Sequence, residues 1–314
     1  MLKNLIGAPL LVLSCALVTS LPSAAEPLKV GFVYVSPVGQ AGWTYQHDQA
    51  RQAMEKSLGA KVQTRYVEAV PEGADAERVM REMAADGTRL IFATSFGYLE
   101  PALRVAADFP RVTFEHAGGY KAAQHLNTYN ARLYEGRWLA GWLAGKTSKS
   151  GVAGYVAGFP LPEVIQGINA FALGMRAAHP QATVRVAWLG TWFDPPKERE
   201  AALALIGGGA DVLANHSGSP AVPQTAQERG VKVIGYQSDM SRFAPDAQLA
   251  AVTSDWSGHY TRVAQAVAAV SRRIYGTWRQ RQQAWATYRA LRDLDARTLR
   301  DIGLDRSELR SIAA

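Results

Sequence analysis

Apolar positions in this chain switch between two periods. Short runs rich in β-branched and aromatic residues at 28–35, 61–67, 89–94 and 112–115 read as strands. The stretches between them, 43–58, 74–86 and 98–108, carry the apolar spacing of helices packed on one side. Gly59, Gly87 and Pro110 stand where those helices should stop. After a helical stretch near 131–146 the alternation begins again, with strands at 152–157, 183–189, 211–215, 231–235 and 249–253 and helices at 162–178, 195–206 and 220–229. Asp194 before Pro195-Pro196 marks a helix start: a side-chain cap followed by prolines whose missing N–H costs nothing in the first turn. Strand–helix alternation in two successive blocks predicts an α/β protein with two doubly wound parallel-sheet lobes, at about 26–130 and about 131–255.

In open parallel sheets, ligands bind beyond the carboxyl ends of the strands. In the first block those ends carry Ser36-Pro37-Val38-Gly39-Gln40-Ala41-Gly42-Trp43-Thr44-Tyr45 and Ser95-Phe96-Gly97-Tyr98. In the second they carry Phe159-Pro160, Thr191-Trp192-Phe193-Asp194, His216-Ser217 and Tyr236-Gln237-Ser238-Asp239. Aromatics mixed with small polar groups suit a flat heteroaromatic ligand, which wants faces to stack on and hydrogen bonds at its edge. Trp43, Tyr45, Phe96, Phe159, Trp192 and His216 are therefore candidate ligand-binding residues.

Composition then narrows the class. At 314 residues, 48% hydrophobic and 19% charged, the chain is long enough for about two domains with cores of their own. A formal charge of +7 suggests nucleic acid until its position is traced. Lys3 carries one unit and residues 272–314 hold ten Arg against five acids, which leaves about +1 for everything else. The main domain thus has no basic face for nucleic acid; the charge belongs to the tail.

Residues 1–25 have the plan of an export signal: Lys3, a mostly apolar run at 5–18, and the small residues Ser23-Ala24-Ala25 before Glu26. The protein is accordingly expected in the periplasm. Cys15, the only cysteine, falls within that segment, so the processed chain has neither a disulfide nor a thiol nucleophile. Val12-Leu13-Ser14-Cys15 is a poor lipoprotein box because Leu13 is too large at its place, and lipid attachment is not expected. No later stretch is apolar for long enough to span a bilayer.

Enzyme signatures are missing or weak. Gly151, Gly154 and Gly158 have neither the spacing nor the place of a dinucleotide fingerprint, and no phosphate loop ends in Lys-Ser or Lys-Thr. Gly207-Gly208-Gly209 reads as a helix end. His47-Asp48 would point apart on a helix and reads as surface; Glu115-His116 closes a strand and alternates faces. Neither a metal nor a cofactor is called for, and catalytic residues are not expected.

The loop residues resemble those of the basic membrane protein family, solute-binding subunits of ABC importers. The resemblance rests on Gly42-Trp43-Thr44-Tyr45-Gln46-His47-Asp48, on Thr94-Ser95-Phe96-Gly97-Tyr98, and on the run from Phe159-Pro160-Leu161-Pro162-Glu163 to Ala170-Phe171. Thr191-Trp192-Phe193-Asp194-Pro195 with Lys197-Glu198-Arg199-Glu200, and Gly235-Tyr236-Gln237-Ser238-Asp239-Met240, extend it over about 29–270. It implies a type I periplasmic-binding-protein-like fold, a purine nucleoside or purine base (adenine-like) as ligand, and an ABC permease at the inner membrane as partner, the subunit itself being monomeric. It also implies roles: Trp43 and Trp192 sandwich the base, one from each lobe, and Asp239 accepts hydrogen bonds from ribose hydroxyls or a base N–H. Two other classes compete with it, a nucleoside hydrolase using the same cleft and an RNA-associated protein acting through the basic tail.

The chain departs from the family pattern in places. It has Gln237 where Asn is usual, Gly218 where an acid is common, and Ser254-Asp255-Trp256-Ser257-Gly258 in place of a Trp-Asn-Trp-Gly-Pro-like run. Family members continue past a late Gly-Thr-Trp with strands and a helix that return to the first lobe. Here Gly276-Thr277-Trp278 leads into residues 279–314, which resemble a small arginine-rich domain by Leu294-Asp295 and Leu299-Arg300-Asp301-Ile302-Gly303-Leu304. The binding domain is therefore placed at 26–278, with an incomplete return to the first lobe, and the α-helical tail at 279–314. That tail reads as a helical hairpin, with Trp278, Trp285, Tyr288 and Leu291 at helical spacing, a C-cap at Gly303, and Asp305 with Glu308 as a capping box. First-lobe surface beside 28–35 or 89–94 is expected to stand uncovered.

Overall fold

The computed structural model describes residues 26–301, 303–307 and 309. The expected export signal with Cys15, and Glu308 of the expected capping box, lie outside these residues. The first block runs β1 (Leu28–Val33), α1 (Gly42–Leu58), β2 (Val62–Val67), α2 (Ala74–Ala85), β3 (Leu90–Ala93), α3 (Leu99–Asp108), β4 (Thr113–Ala117) and β5 (Leu126–Tyr129). The chain crosses into α4 (Leu133–Thr147), β6 (Val152–Ala157), α5 (Pro162–Ala178), β7 (Thr183–Trp188), α6 (Pro195–Gly207), β8 (Val212–His216), α7 (Ala221–Arg229), β9 (Lys232–Gln237) and β10 (Gln248–Thr253). It then returns through α8 (Ser257–Arg292) and ends, as described, with α9 (Ala296–Asp301).

Each block forms a five-stranded sheet, ordered β2-β1-β3-β4-β5 and β10-β9-β8-β6-β7, and every pairing between these strands is parallel. Parallel strands are covered on both faces, so they read as continuous apolar runs, and β1, β3 and β6 are buried almost throughout. Strand β5 escapes that signature. It has four residues, only its end residues are buried, and it follows a polar loop.

One face of the first sheet packs on α2 and α3 through Val79, Met80, Met83, Leu99 and Val105. The other packs on α1 and on the first third of α8, which contributes Trp256 just ahead of it and Tyr260, Ala264 and Ala268 within it. The Tyr260 ring lies 5.3 Å from Phe32 of β1 and 4.2 Å from Phe92 of β3, centroid to centroid. The expectation of bare surface beside these strands is thus corrected, because α8 turns back onto the first lobe and buries it. The same helix corrects the hairpin: its first arm is no separate element but the far end of α8, 36 residues long and so about 54 Å. Beyond Ala268 the helix becomes exposed, and Trp278 and Trp285 are half open to solvent. Gly303, at φ +76, caps the end of α9, with Leu304 N–H donating 3.0 Å to the Leu299 carbonyl, as its place in the sequence suggested.

His47 and Asp48 are also corrected, from surface to core. Both are buried, His47 against α8 and Asp48 against Tyr34 at the end of β1. His47 Nδ1 meets the Tyr260 hydroxyl and its ring stacks on Trp256, while Asp48 pairs with Arg51 at 2.7 Å. Adjacent helix positions can both be buried when two neighbours, here the sheet and α8, cover adjoining parts of the helix. In the second lobe, α4 and α5 cross so closely that a Cβ on Gly141 or Gly174 would strike the other helix's backbone. Asp194 caps α6 as read, its Oδ1 accepting from Lys197 N–H at 3.0 Å.

Candidate functional site

The carboxyl ends of both sheets face one cavity of about 550 Å³, counted to its mouth and within the usual range for ligand sites. The first lobe lines it with Ser36 and Trp43 from the β1–α1 connection, Ser95 and Phe96 after β3, and Ala117 at the end of β4. The second lobe supplies Glu163 in the first turn of α5, Trp192 after β7, His216, Ser217 and Gly218 after β8, and Tyr236 and Gln237 at the end of β9. Both lobes contribute ring faces, and the polar groups are few and convergent.

The rings are held from behind. Trp43 donates its indole N–H to the Thr94 carbonyl at 2.6 Å and packs edge-on to His47, centroids 4.3 Å apart. Trp192 packs edge-on to Phe159 at 4.9 Å and occupies space that a Cβ on Gly158 would take. Its indole N–H crosses the cleft to Glu72 Oε1 at 3.2 Å, which also accepts from Ser95 Oγ and from Gly97 N–H. A second bridge runs from Gly42 N–H to Ser238 Oγ at 2.9 Å, so the described arrangement is a closed one.

Three polar side chains deserve attention for their chemistry. Burial, with Arg137 nearby as a lesser cause, holds the His216 imidazole well below its ordinary pKa, and it is neutral. Burial raises the pKa of the Glu163 carboxyl, while a hydrogen bond from Asn130 works against that. Gln237 sits at φ +64, a left-handed conformation that Asn adopts more readily than Gln. Its Oε1 accepts from Ser254 Oγ at 2.6 Å, and its Nε2 is buried without a protein partner at the cavity wall. Nearby, Glu198 is buried under the β8–α7 connection and accepts from Ser217 and Ser219 at 2.9 and 2.7 Å, fixing that loop.

Trp43, Phe96, Trp192 and His216 line the cavity, while Phe159 stands one ring behind it. Tyr45 does not reach it, because two residues past Trp43 a helical side chain points elsewhere. Asp239 also stands outside the lining residues. The chain bends after Gln237, and the exposed Asp239 carboxylate turns back to accept from Ser241 N–H at 2.9 Å and Gln248 Nε2 at 2.7 Å. Those hydrogen bonds, the Ser241 N–H first, lower its pKa. Glu163 and Gln237 were assigned no role from the sequence. A carboxyl just after Pro162, in the first turn of a helix that opens at a sheet's ligand end, was the signal available for Glu163. Among the described residues no cluster of side chains could hold a metal ion, and no helix is long and apolar enough to cross a membrane.

Two parallel-sheet lobes closing on a cavity at their strand ends define a two-lobed small-molecule-binding fold. The family profile described as ABC transporter substrate-binding protein, PnrA-like, matches residues 28–277, and a YjiS-like domain profile matches 272–310. The chain belongs to the Bmp family of ABC transporter substrate-binding proteins. It is 50% identical over 262 residues to a purine-binding protein of Brucella abortus, covering 83% of this chain and 73% of that one. It is 43% identical over 239 residues to a putative ABC transporter glucose-binding protein of Haloferax volcanii, covering 76% of this chain and 61% of that one. A solute-binding protein structure from Conexibacter woesei superposes with a TM-score of 0.62 at 23% identity, covering 77% and 81% of the two chains. The fold is type I periplasmic-binding-protein-like, and the protein is a binding subunit, not an enzyme.

Proposed function

We propose that the cleft captures a purine, and a free base in preference to a nucleoside, for delivery to an ABC permease of the inner membrane. The observation that carries this reading is the pairing of Trp43 and Trp192 on opposite lobes of one cavity whose polar groups are sparse. A purine presents two π-faces, and each stacked ring contributes about 1–3 kcal/mol by alanine substitution. A sugar presents hydroxyls all round and calls for a dense ring of hydrogen-bonding groups. In this reading Trp192 covers one face and Trp43 the other, with Phe96 at the rim. Gln237 Nε2–H donates to a ring nitrogen, the Glu163 carboxyl meets the exocyclic edge, and neutral His216 borders the same edge.

Base is favoured over nucleoside because the acid expected to accept ribose hydroxyls, Asp239, lies outside the cavity. The 50% identical relative is named for purine binding, which supports the same ligand class. The subunit acts as a monomer outside the cytoplasmic membrane, delivered by residues 1–25 as an export signal, with residues 279–314 as an added tail. Titration of intrinsic tryptophan fluorescence tests this. Adenine should change the emission saturably, adenosine at clearly higher concentration, and glucose not at all. A response to glucose with none to adenine would overturn the reading.

A further inference from the structure

The exposed length of α8 beyond Ala268 is strongly charged: residues 272–292 hold six Arg and no Asp or Glu. Trp278, Arg281, Trp285, Arg289 and Arg292 recur at intervals of three and four, which sets them along one face of the helix for about 21 Å. Trp278 and Trp285 are 54% and 50% exposed, and the three Arg are exposed beside them. Arg292 pairs with Asp293 at 3.0 Å on the surface. Arg281 and Arg289 have no carboxylate partner among the described residues.

The tail has a small core of its own that leaves these two indoles half open. Leu299 of α9 and Leu309 are buried, and Arg306 donates to the Leu294 carbonyl at 3.0 Å, tying the chain after α9 to the end of α8. Arg alone on a solvated helix needs no special account, but two half-open indoles among them do. A second copy of the chain would bring the same unbroken positive charge and be repelled. Nucleic acid would suit the charge, but binding subunits of this family work outside the cytoplasm. An anionic bilayer surface suits both residue types: guanidinium groups meet lipid phosphates, and indoles settle at headgroup level. Among the described residues no helix is long and apolar enough to cross a membrane, so such a contact lies along the surface.

We propose that this face of α8 docks on the anionic headgroup surface of the membrane and holds the subunit beside its permease. The inference rests on the extracytoplasmic placement proposed above and not on which solute the cleft takes.

The test is flotation of the full chain with vesicles of equal parts phosphatidylglycerol and phosphatidylethanolamine, against vesicles of phosphatidylcholine alone. Binding to the anionic vesicles should be at least about tenfold stronger and should weaken as sodium chloride is raised. Arg281→Gln combined with Arg289→Gln should lower it by about tenfold or more, since each charge near such a surface is worth about fivefold. Trp285→Ala should weaken it as well, and both variants should melt with the wild type. Equal flotation with both vesicles, or none with either, would overturn the proposal. Full binding by Trp285→Ala would also overturn it, leaving only unspecific charge attraction. Preference for polyuridylic acid over the anionic vesicles at equal phosphate would overturn it too, as a nucleic-acid surface. Adenine titration reads the cleft separately, so this proposal and the solute reading can fail apart.

Discussion

Gly42 and Gly218 meet across the cleft with no room for a side chain between them. A Cβ added to Gly42 would collide with the Gly218 carbonyl oxygen and stand 3.0 Å from its carbonyl carbon. Gly42 is also at φ +88, a conformation other residues resist. The start of α1 and the loop after β8 are therefore a pair of surfaces that touch only when the lobes close.

Gly42→Ala should act on closure, in addition to a modest cost in folding from the positive φ. The clash exists only in the closed form, so the substitution shifts the open–closed equilibrium and lowers ligand affinity by the fraction of closed form lost. Affinity should fall at least about tenfold, a difference of about 1.4 kcal/mol. Small-angle scattering checks the cause: the variant should remain extended at ligand concentrations that compact the wild type.

Trp192→Ala and Asp239→Ala separate the cavity from its surroundings. Loss of one stacking face should weaken purine binding by about one to two decades. Asp239 is exposed and engaged with Ser241 and Gln248, so its removal should leave affinity within about twofold, the ordinary effect of a surface change remote from the ligand. Calorimetric titration of both variants checks the pair, and equal losses would contradict the geometry.

The sequence announced the architecture because parallel strands buried on both faces read as apolar runs, and because helix ends such as Asp194 and Gly303 carry their capping residues openly. The cavity aromatics were legible for the same reason: loops at strand ends are where ligands sit. The place of Asp239 outside the lining was not legible, because its position in the motif says nothing of the bend after Gln237, which is at φ +64. Tyr260 and His47 were missed as partners since 213 positions separate them, and no local pattern reports that α8 returns to α1. Arg137 carried no signal in the sequence, because only the second lobe's fold encloses it.

Stability should fall in mild acid. Burial pushes the His47 pKa down from 6.5 to about 3 and that of His116 to about 4. Both are neutral in the fold and bind protons once unfolded, so stability is full above about pH 6.5 and is lost as pH drops towards those folded values. Each group contributes a slope of about 1.4 kcal/mol per pH unit in that window. Denaturant unfolding at pH 7.5, 5.5 and 4.5 checks this, and His116→Gln should flatten the slope by about one group's share.

The two ends of α8 should respond differently to change. Tyr260 is fully buried and its hydroxyl lies 2.9 Å from that of Tyr129, so Tyr260→Ala should cost about 3–5 kcal/mol. Ending the chain after Trp278 removes the exposed length of the helix and α9, and should change the melting temperature by less than about 3 °C, under 1 kcal/mol for a protein of this size. A larger loss would show that residues 279–314 dock on the first lobe.

The most direct test of the central claim is a crystal structure of the protein grown with adenine. The account predicts adenine between Trp43 and Trp192, with Gln237 Nε2 and the Glu163 carboxyl at its edge and Asp239 making no contact with it. Adenine seated elsewhere, or a cleft that stays empty of it at saturating concentration, would contradict the account.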